Sequence, residues 1–220
     1  MGEEIAGGLH LDHIDLAQRG GDSLVRLNLA IAPGEILSIM GPSGSGKSTL
    51  LNFLIGNMPD DFIARGRVLL FGRDITNLET KQRRIGILFQ DDVLFPHLSV
   101  AGNLGFGLPA DLRGAERRRV IGEALYNAGL EGFEHRDPES LSGGQRARVA
   151  LMRTLLSQPQ ALLLDEPFSK LDTDLREHMR HFVFQKAQEQ GLPVLMVTHD
   201  MDDALSARGR ILTPLGKELG

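Results

Sequence analysis

The run Gly41-Pro42-Ser43-Gly44-Ser45-Gly46-Lys47-Ser48-Thr49 satisfies the pattern G-x-x-x-x-G-K-[ST]. Its glycines let backbone N–H groups converge on anionic oxygens, and a following helix N-terminus adds its positive dipole end. Lys47 supplies a mobile positive charge for the β- and γ-phosphates of a nucleoside triphosphate. Ser48 offers a hydroxyl to Mg²⁺, an ion that keeps most of its waters and takes few protein ligands. Further on, Ala161-Leu162-Leu163-Leu164-Asp165-Glu166 ends an apolar run with two acids. Asp165 is suited to the Mg²⁺ shell, and Glu166 to accepting a proton from an attacking water. Gln90 and His199 each follow an apolar run, placed to reach the metal or lytic water and the γ-phosphate respectively. Leu141-Ser142-Gly143-Gly144-Gln145 opens a helical stretch, where Ser142 is a good N-cap and the two glycines leave bare N–H groups at the positive end of the dipole. It can serve as a second γ-phosphate cradle.

Taken one at a time, most of these have a plain structural reading. A strand ending in Asp-Glu is often a solvated turn, a lone Gln is surface, a lone His caps or is locally satisfied, and Ser-Gly-Gly can simply start a helix. The glycine loop is the most specific, because it sits between a strand pattern and a helix pattern, which is the context a phosphate loop requires.

The elements that must position these groups are legible in outline. Leu9, Leu11, Ile14 and Leu16 alternate with one skip, which predicts a strand with an irregularity, and Leu24 to Ile31 alternates as a half-buried strand. Ile36 to Met40 reads as a buried strand entering the glycine loop, with helical potential from Thr49 to Ile55. Val68 to Phe71 and Ile85 to Phe89 predict two more strands. From Ser99 to about Ser157 the pattern is helical, with a charged face at Ala115 to Asn127. Ala161 to Leu164 and Val194 to Val197 are wholly apolar, as suits parallel strands covered on both faces. Helical patterns at Asp174 to Gln190 and after Asp200 alternate with them. The expected architecture is α/β: a mainly parallel sheet with flanking helices and a helical insert after Gln90.

With 220 residues, 41% hydrophobic and 24% charged, the chain has the composition of one globular domain. A net charge of −5 argues against nucleic acid held by phosphate contacts, and Arg117-Arg118-Arg119 reads as a solvated helix face. The absence of cysteine excludes disulfides and thiolate metal sites, and His178 and His181 lack a third ligand at metal spacing. No segment reaches the ~20 apolar residues of a membrane span, and the acidic N-terminus is unlike a signal peptide. Any membrane role is therefore expected to run through another chain.

In this order and spacing the motifs resemble the nucleotide-binding subunit of ABC transporters over essentially the whole chain. Gly41 to Thr49 is similar to its Walker A loop, Gln90 to its Q-loop, Leu141 to Gln145 to its signature, Asp165-Glu166 to its Walker B, Ser169 to Asp172 to its D-loop and His199 to its switch histidine. The resemblance implies a P-loop NTPase (RecA-like) core, about residues 1–90 and 158–220, with an antiparallel β subdomain and an inserted α-helical subdomain, about 91–157. It also implies ATP and Mg²⁺ as cofactors and an ATP-dependent head-to-tail homodimer. In that dimer, Gly41 to Thr49 of one copy and Ser142, Gly143, Gly144 and Gln145 of the other enclose the nucleotide, and Asp172 is a further nucleotide contact. Transmembrane permease subunits would dock on the Gln90 loop and the helical subdomain, at the cytoplasmic face of the inner membrane, with a solute-binding protein in the system. Ile87 to Val100 and Glu166 to Asp172 resemble importers of the thiamine, iron, sulfate and polyamine group. Mechanotransmission and non-transport ABC ATPases are the alternative, but a long coiled coil and a basic surface, which a DNA or ribosome clamp would need, are lacking.

Two departures carry expectations of their own. Such subunits stack adenine on an aromatic ring near the position of Gln18, yet no Phe, Tyr or Trp lies between Met1 and Phe53. Weak adenine preference is expected, with Arg19 stacking in place of a ring. The chain also stops at Gly220, so the C-terminal regulatory domain of larger importer subunits is not expected.

Overall fold

The computed structural model describes residues 7–90 and 93–219. The acidic run 1–6 and Asp91, the expected start of the helical insert, lie outside the described residues. In chain order, strands β1 (Leu9–Gln18), β2 (Ser23–Ile31) and β3 (Ile36–Met40) lead to helix α1 (Lys47–Ile55). Strands β4 (Phe62–Leu70) and β5 (Arg73–Asp74), helix α2 (Thr80–Arg83) and strand β6 (Ile85–Leu88) follow. Then come α3 (Val100–Gly107), α4 (Gly114–Asn127), a 3-10 turn at Pro138–Ser140 and α5 (Gly143–Leu156). Strand β7 (Ala161–Asp165), α6 (Thr173–Gln190), β8 (Val194–Thr198), α7 (Met201–Ser206) and β9 (Ile211–Leu212) complete the order. No described helix is long and apolar enough to cross a membrane.

The chain divides into two compact units. The first holds the described residues up to Ile87, Gln160–Glu166 and those from Val183 onward. It contains an antiparallel sheet of order β2-β1-β4-β5 and a second sheet of order β6-β7-β8-β3-β9. In the second sheet β7, β8, β3 and β9 pair parallel. β7 and β8 are buried along their apolar length, which is why their sequences show no alternation. β1 does alternate, and its skip is a bulge: the register with β2 jumps between Leu11 and Ile14, and His13 takes φ 51°. One apolar cluster joins the sheets through Leu16 and Val25, Leu50 and Leu54 of α1, and Ile39, Leu163 and Val197. α1 is thus anchored between the antiparallel sheet and the β3–β8 pair, with its N-terminus free to face a ligand.

The second unit, Leu88–Pro159 and Pro167–Phe182, is helical. Buried Asn103 of α3 accepts from the Phe95 N–H and donates to the carbonyls of Phe95, Leu98 and Ser99, holding the segment before α3 in place. Arg153 of α5 adds a bond to the Val93 carbonyl and lies over the Phe95 ring. On α4, Arg119 pairs with Glu116 and Glu123 as a solvated face should. Arg117 differs: it reaches the Gly105 carbonyl on α3 and so braces one helix against another.

Candidate nucleotide site

The glycine loop leaves the buried strand β3 and enters α1 through Gly46, whose φ of 90° lies in the left-handed region. A Cβ at Gly46 would stand 2.8 Å from Val25 Cγ2 and 2.9 Å from Leu24 Cβ, so β2 forms the floor of the loop. No side chain caps α1, and its first N–H groups are left for whatever occupies the loop. Lys47 Nζ donates to the carbonyls of Gly41 (2.7 Å) and Pro42 (2.9 Å), which arches the ammonium over the loop. Ser45 Oγ is buried without a hydrogen-bond partner, and Pro42, Ser43, Gly44 and Ser48 are exposed at the rim. A cationic arch, open N–H groups and an orphaned hydroxyl suit a polyphosphate.

The parallel register places the remaining charged groups of this unit at the same sheet edge. Asp165 pairs with Val197 and Met40 with Thr198, so the C-terminal ends of β7, β8 and β3 lie side by side. Glu166 turns out of β7 with φ 51° while its N–H donates to the Val197 carbonyl at 2.9 Å. A left-handed conformation at a non-glycine residue is strained, and here it turns the carboxylate toward β8. His199 Nδ1 lies 2.7 Å from that carboxylate. The Glu166 side chain is 10% exposed and that of His199 69%, so the pair spans from the interior to the surface. Burial pushes the Asp165 carboxyl above its ordinary range; the Glu166 charge adds to this, and Lys47 opposes it. A half-buried carboxylate so disfavoured in its charged form is suited to a divalent cation, with the Ser48 hydroxyl at the rim.

Gln90, Ser142 to Gln145 and Asp172 belong to the second unit. Gln90 is exposed. Ser142 and Gln145 form a reciprocal capping box: Ser142 Oγ accepts from the Gln145 N–H (3.3 Å), and Gln145 Oε1 accepts from the Ser142 N–H (2.9 Å). The N–H groups of Gly143 and Gly144, in the first turn, have no intrahelical acceptor. A Cβ at Gly144 would come within 3.1 Å of the Lys170 carbonyl, so the start of α5 packs directly on the segment Ser169 to Asp172. Asp172 itself caps α6, accepting from the Leu175 N–H at 3.1 Å.

Three arginines matter in ways the motifs did not reveal. Buried Arg83 donates to the carbonyls of Phe53 and Leu54 at the end of α1 and to those of Thr76 and Leu78. It closes the C-terminus of the helix whose N-terminus faces the loop. Nearly buried Arg148 donates to the carbonyls of Gly144 and Ala128, with Asp172 as its charge partner. Its only sequence signal was its place on the buried face of α5. Arg19 is held against the turn before β4, its Nε donating to the Asp60 carbonyl at 2.8 Å.

This fold and site define a P-loop NTPase: a RecA-like core carrying an antiparallel β subdomain, with helices inserted between β6 and β7. The ABC transporter family profile matches residues 24–169. The uncharacterized ABC transporter ATP-binding protein YnjD of Escherichia coli K12 is 51% identical over 180 residues, covering 82% of this chain and 83% of its own length. The thiamine import ATP-binding protein ThiQ of Jannaschia sp. strain CCS1 is 45% identical over 205 residues, covering 93% of this chain and 87% of its own. Among solved structures, the dimeric post-hydrolysis state of the ATP-binding cassette MJ0796 bound to ADP and Pi superposes with TM-score 0.79. It is 35% identical, and the match covers 94% of each chain. The chain belongs to the ABC transporter family, and its activity is that of an ATP-binding and ATP-hydrolysing subunit.

Proposed function

We propose that this subunit powers import of a solute through a separate membrane-spanning partner, working as an ATP-dependent head-to-tail dimer at the cytoplasmic face of the membrane. The observation that carries the reading is the convergence of Lys47, Asp165, Glu166 and His199 on one sheet edge. Lys47 and the loop Gly41 to Thr49, with the open N–H groups at the start of α1, bind the triphosphate. Ser48, Asp165 and Gln90 hold Mg²⁺, which when bound shields phosphate charge and orients the γ-phosphate. Glu166 accepts the proton of the attacking water, and His199 fixes the carboxylate while its other nitrogen addresses the γ-phosphate. The bare N–H groups of Gly143 and Gly144 from a second copy close the site, with Ser142, Gln145 and Asp172 shaping that surface. The Gln90 loop and the helical unit meet the permease, and a solute-binding protein delivers the cargo. The import direction is supported by relatives named for import, such as the thiamine protein above.

The test is size-exclusion chromatography of Glu166→Gln with ATP and Mg²⁺. It is expected to accumulate as a nucleotide-bound dimer while the parent remains mostly monomeric. A variant that hydrolyses ATP at the parental rate, or binds ATP and stays monomeric, would overturn the assignment.

A further inference from the structure

We infer that the purine base of the bound nucleotide stacks on Phe62, the first residue of β4, with Gln18 at its edge. The inference rests on the phosphate-loop reading above and adds the part of the site that recognises the base. With the phosphates over Gly41 to Thr49, the base must lie one nucleotide length away, along whichever surface borders the loop. At the end where the loop enters α1 that surface is the antiparallel sheet, because Val25 Cγ2 and Leu24 Cβ fill the space beside Gly46.

The register then carries the argument strand by strand. Val25 pairs with Leu16, Leu16 with Ala64, and Gln18 with Phe62. Directly opposed residues share a face, as do residues two apart along one strand. Val25, Leu16, Gln18, Ala64 and Phe62 therefore all face the side on which the loop lies. Leu16 and Val25 are fully buried there, Phe62 is half-buried, and Gln18 and Ala64 are exposed. This is an aromatic ring at the open margin of a covered face.

The other described phenylalanines of the first unit do not fit. Phe53 and Phe184 are each 7% exposed. Phe71 follows the opposite end of β4, its N–H bonded to the Gly8 carbonyl. Arg19, the expected substitute for a ring, is tied to the Asp60 carbonyl. Stacking on an aromatic face accepts any base, since every base has a π-face. The Gln18 amide carries both donors and an acceptor and can turn to suit adenine or guanine. The geometry thus provides affinity for a purine with little choice between purines.

The chain has no tryptophan, which gives a direct probe. Phe62→Trp introduces its only indole, whose emission is expected to change on adding ATP or GTP but not inorganic tripolyphosphate. In calorimetry, Phe62→Ala is expected to weaken ATP and GTP about tenfold while leaving tripolyphosphate unchanged, and Phe62→Tyr to restore both nucleotides. The inference is overturned if Phe62→Ala leaves ATP affinity intact, or lowers ATP and tripolyphosphate equally. An indole blind to ATP that calorimetry registers as bound would also overturn it. Lys47→Ala is the separate control: it should lose ATP and tripolyphosphate alike, and retention of both would count against the phosphate-loop reading itself.

Discussion

His199 Nδ1 stands 2.7 Å from the carboxylate of Glu166, although 33 positions separate them in the chain. The contact exists because β7 and β8 are parallel neighbours ending at the same level, so residues just beyond each strand meet. A proton on Nδ1 fixes the carboxylate's direction and leaves Nε2 for a different partner.

If the two act as one device, removing either should cost nearly as much as removing both. His199→Ala and Glu166→Gln are each expected to lower kcat for ATP by about 10²-fold or more, with little change in nucleotide affinity. The double variant is expected to be little worse than the weaker single variant, because residues acting as a unit are non-additive. Phosphate release across this cycle is the measurement, and independent, multiplying losses would separate the two roles.

Asp165 gives a prediction with a pH signature. Burial, with help from Glu166 and against Lys47, raises its carboxyl above the ordinary 3.8. An acid raised in the folded state carries no penalty at low pH, where both states are protonated. Stability is lost as pH climbs through the unfolded and then the folded value. Asp165→Asn is therefore expected to raise the thermal midpoint at pH 7, with the gain vanishing as pH falls below about 4. Thermal melts of both proteins from pH 3.5 to 8 decide it, since a gain independent of pH would point to packing. Hydrolysis in the same variant should fall by about 10²-fold.

Arg83 tests how firmly α1 is held. Its four carbonyl partners come from α1 and from the segment before α2. Arg83→Ala removes this donor from four carbonyls in a buried place, of which Phe53 keeps the Gly56 N–H, and is expected to cost about 3 kcal/mol or more. That corresponds to a fall of roughly 6–12 °C in the thermal midpoint. Arg83→Lys should recover little, since an ammonium cannot reproduce the guanidinium fork. Recovery to the parental midpoint would mean that charge alone matters.

Gly144 separates helix capping from phosphate binding. In a helix, Gly→Ala normally gains up to about 1 kcal/mol. Here the new methyl group would meet the Lys170 carbonyl at 3.1 Å, a contact that a small shift relieves. Gly144→Ala is expected to melt close to the parent yet lose ATP-driven dimerisation and at least tenfold of its hydrolysis. Full activity would leave Ser142 to Gln145 as a helix cap alone.

Much of this molecule is readable from residue pattern, and the unread parts have physical reasons. Ala161 to Leu164 and Val194 to Val197 declared themselves as buried parallel strands because nothing polar interrupts them. The phosphate loop was legible because its chemistry constrains type and spacing together. β4 was read only from Val68, whereas it begins at Phe62. Its first half, with Arg65, Gly66 and Arg67, lacks alternation and is a strand because β1 pairs with it. β5 and β9 are two residues each, too short to show a period. The Glu166–His199 contact and the Arg83 clamp are products of topology, and side-chain partners so distant in sequence leave no local trace. Asp172 looked like a nucleotide contact by resemblance, and within its unit it is also the cap of α6.

The packing of Val25 and Leu24 beside Gly46 also has a genetic meaning. These two apolar side chains lie on a strand with no catalytic group, yet they set the shape of the phosphate loop. Enlarging either would distort the loop and register as lost nucleotide binding in a subunit that is otherwise well folded. Selection for recovered transport from a mildly defective loop would then return second-site changes in β2. In inheritance, the loop extends beyond its own nine residues, and β2 mutates as part of it.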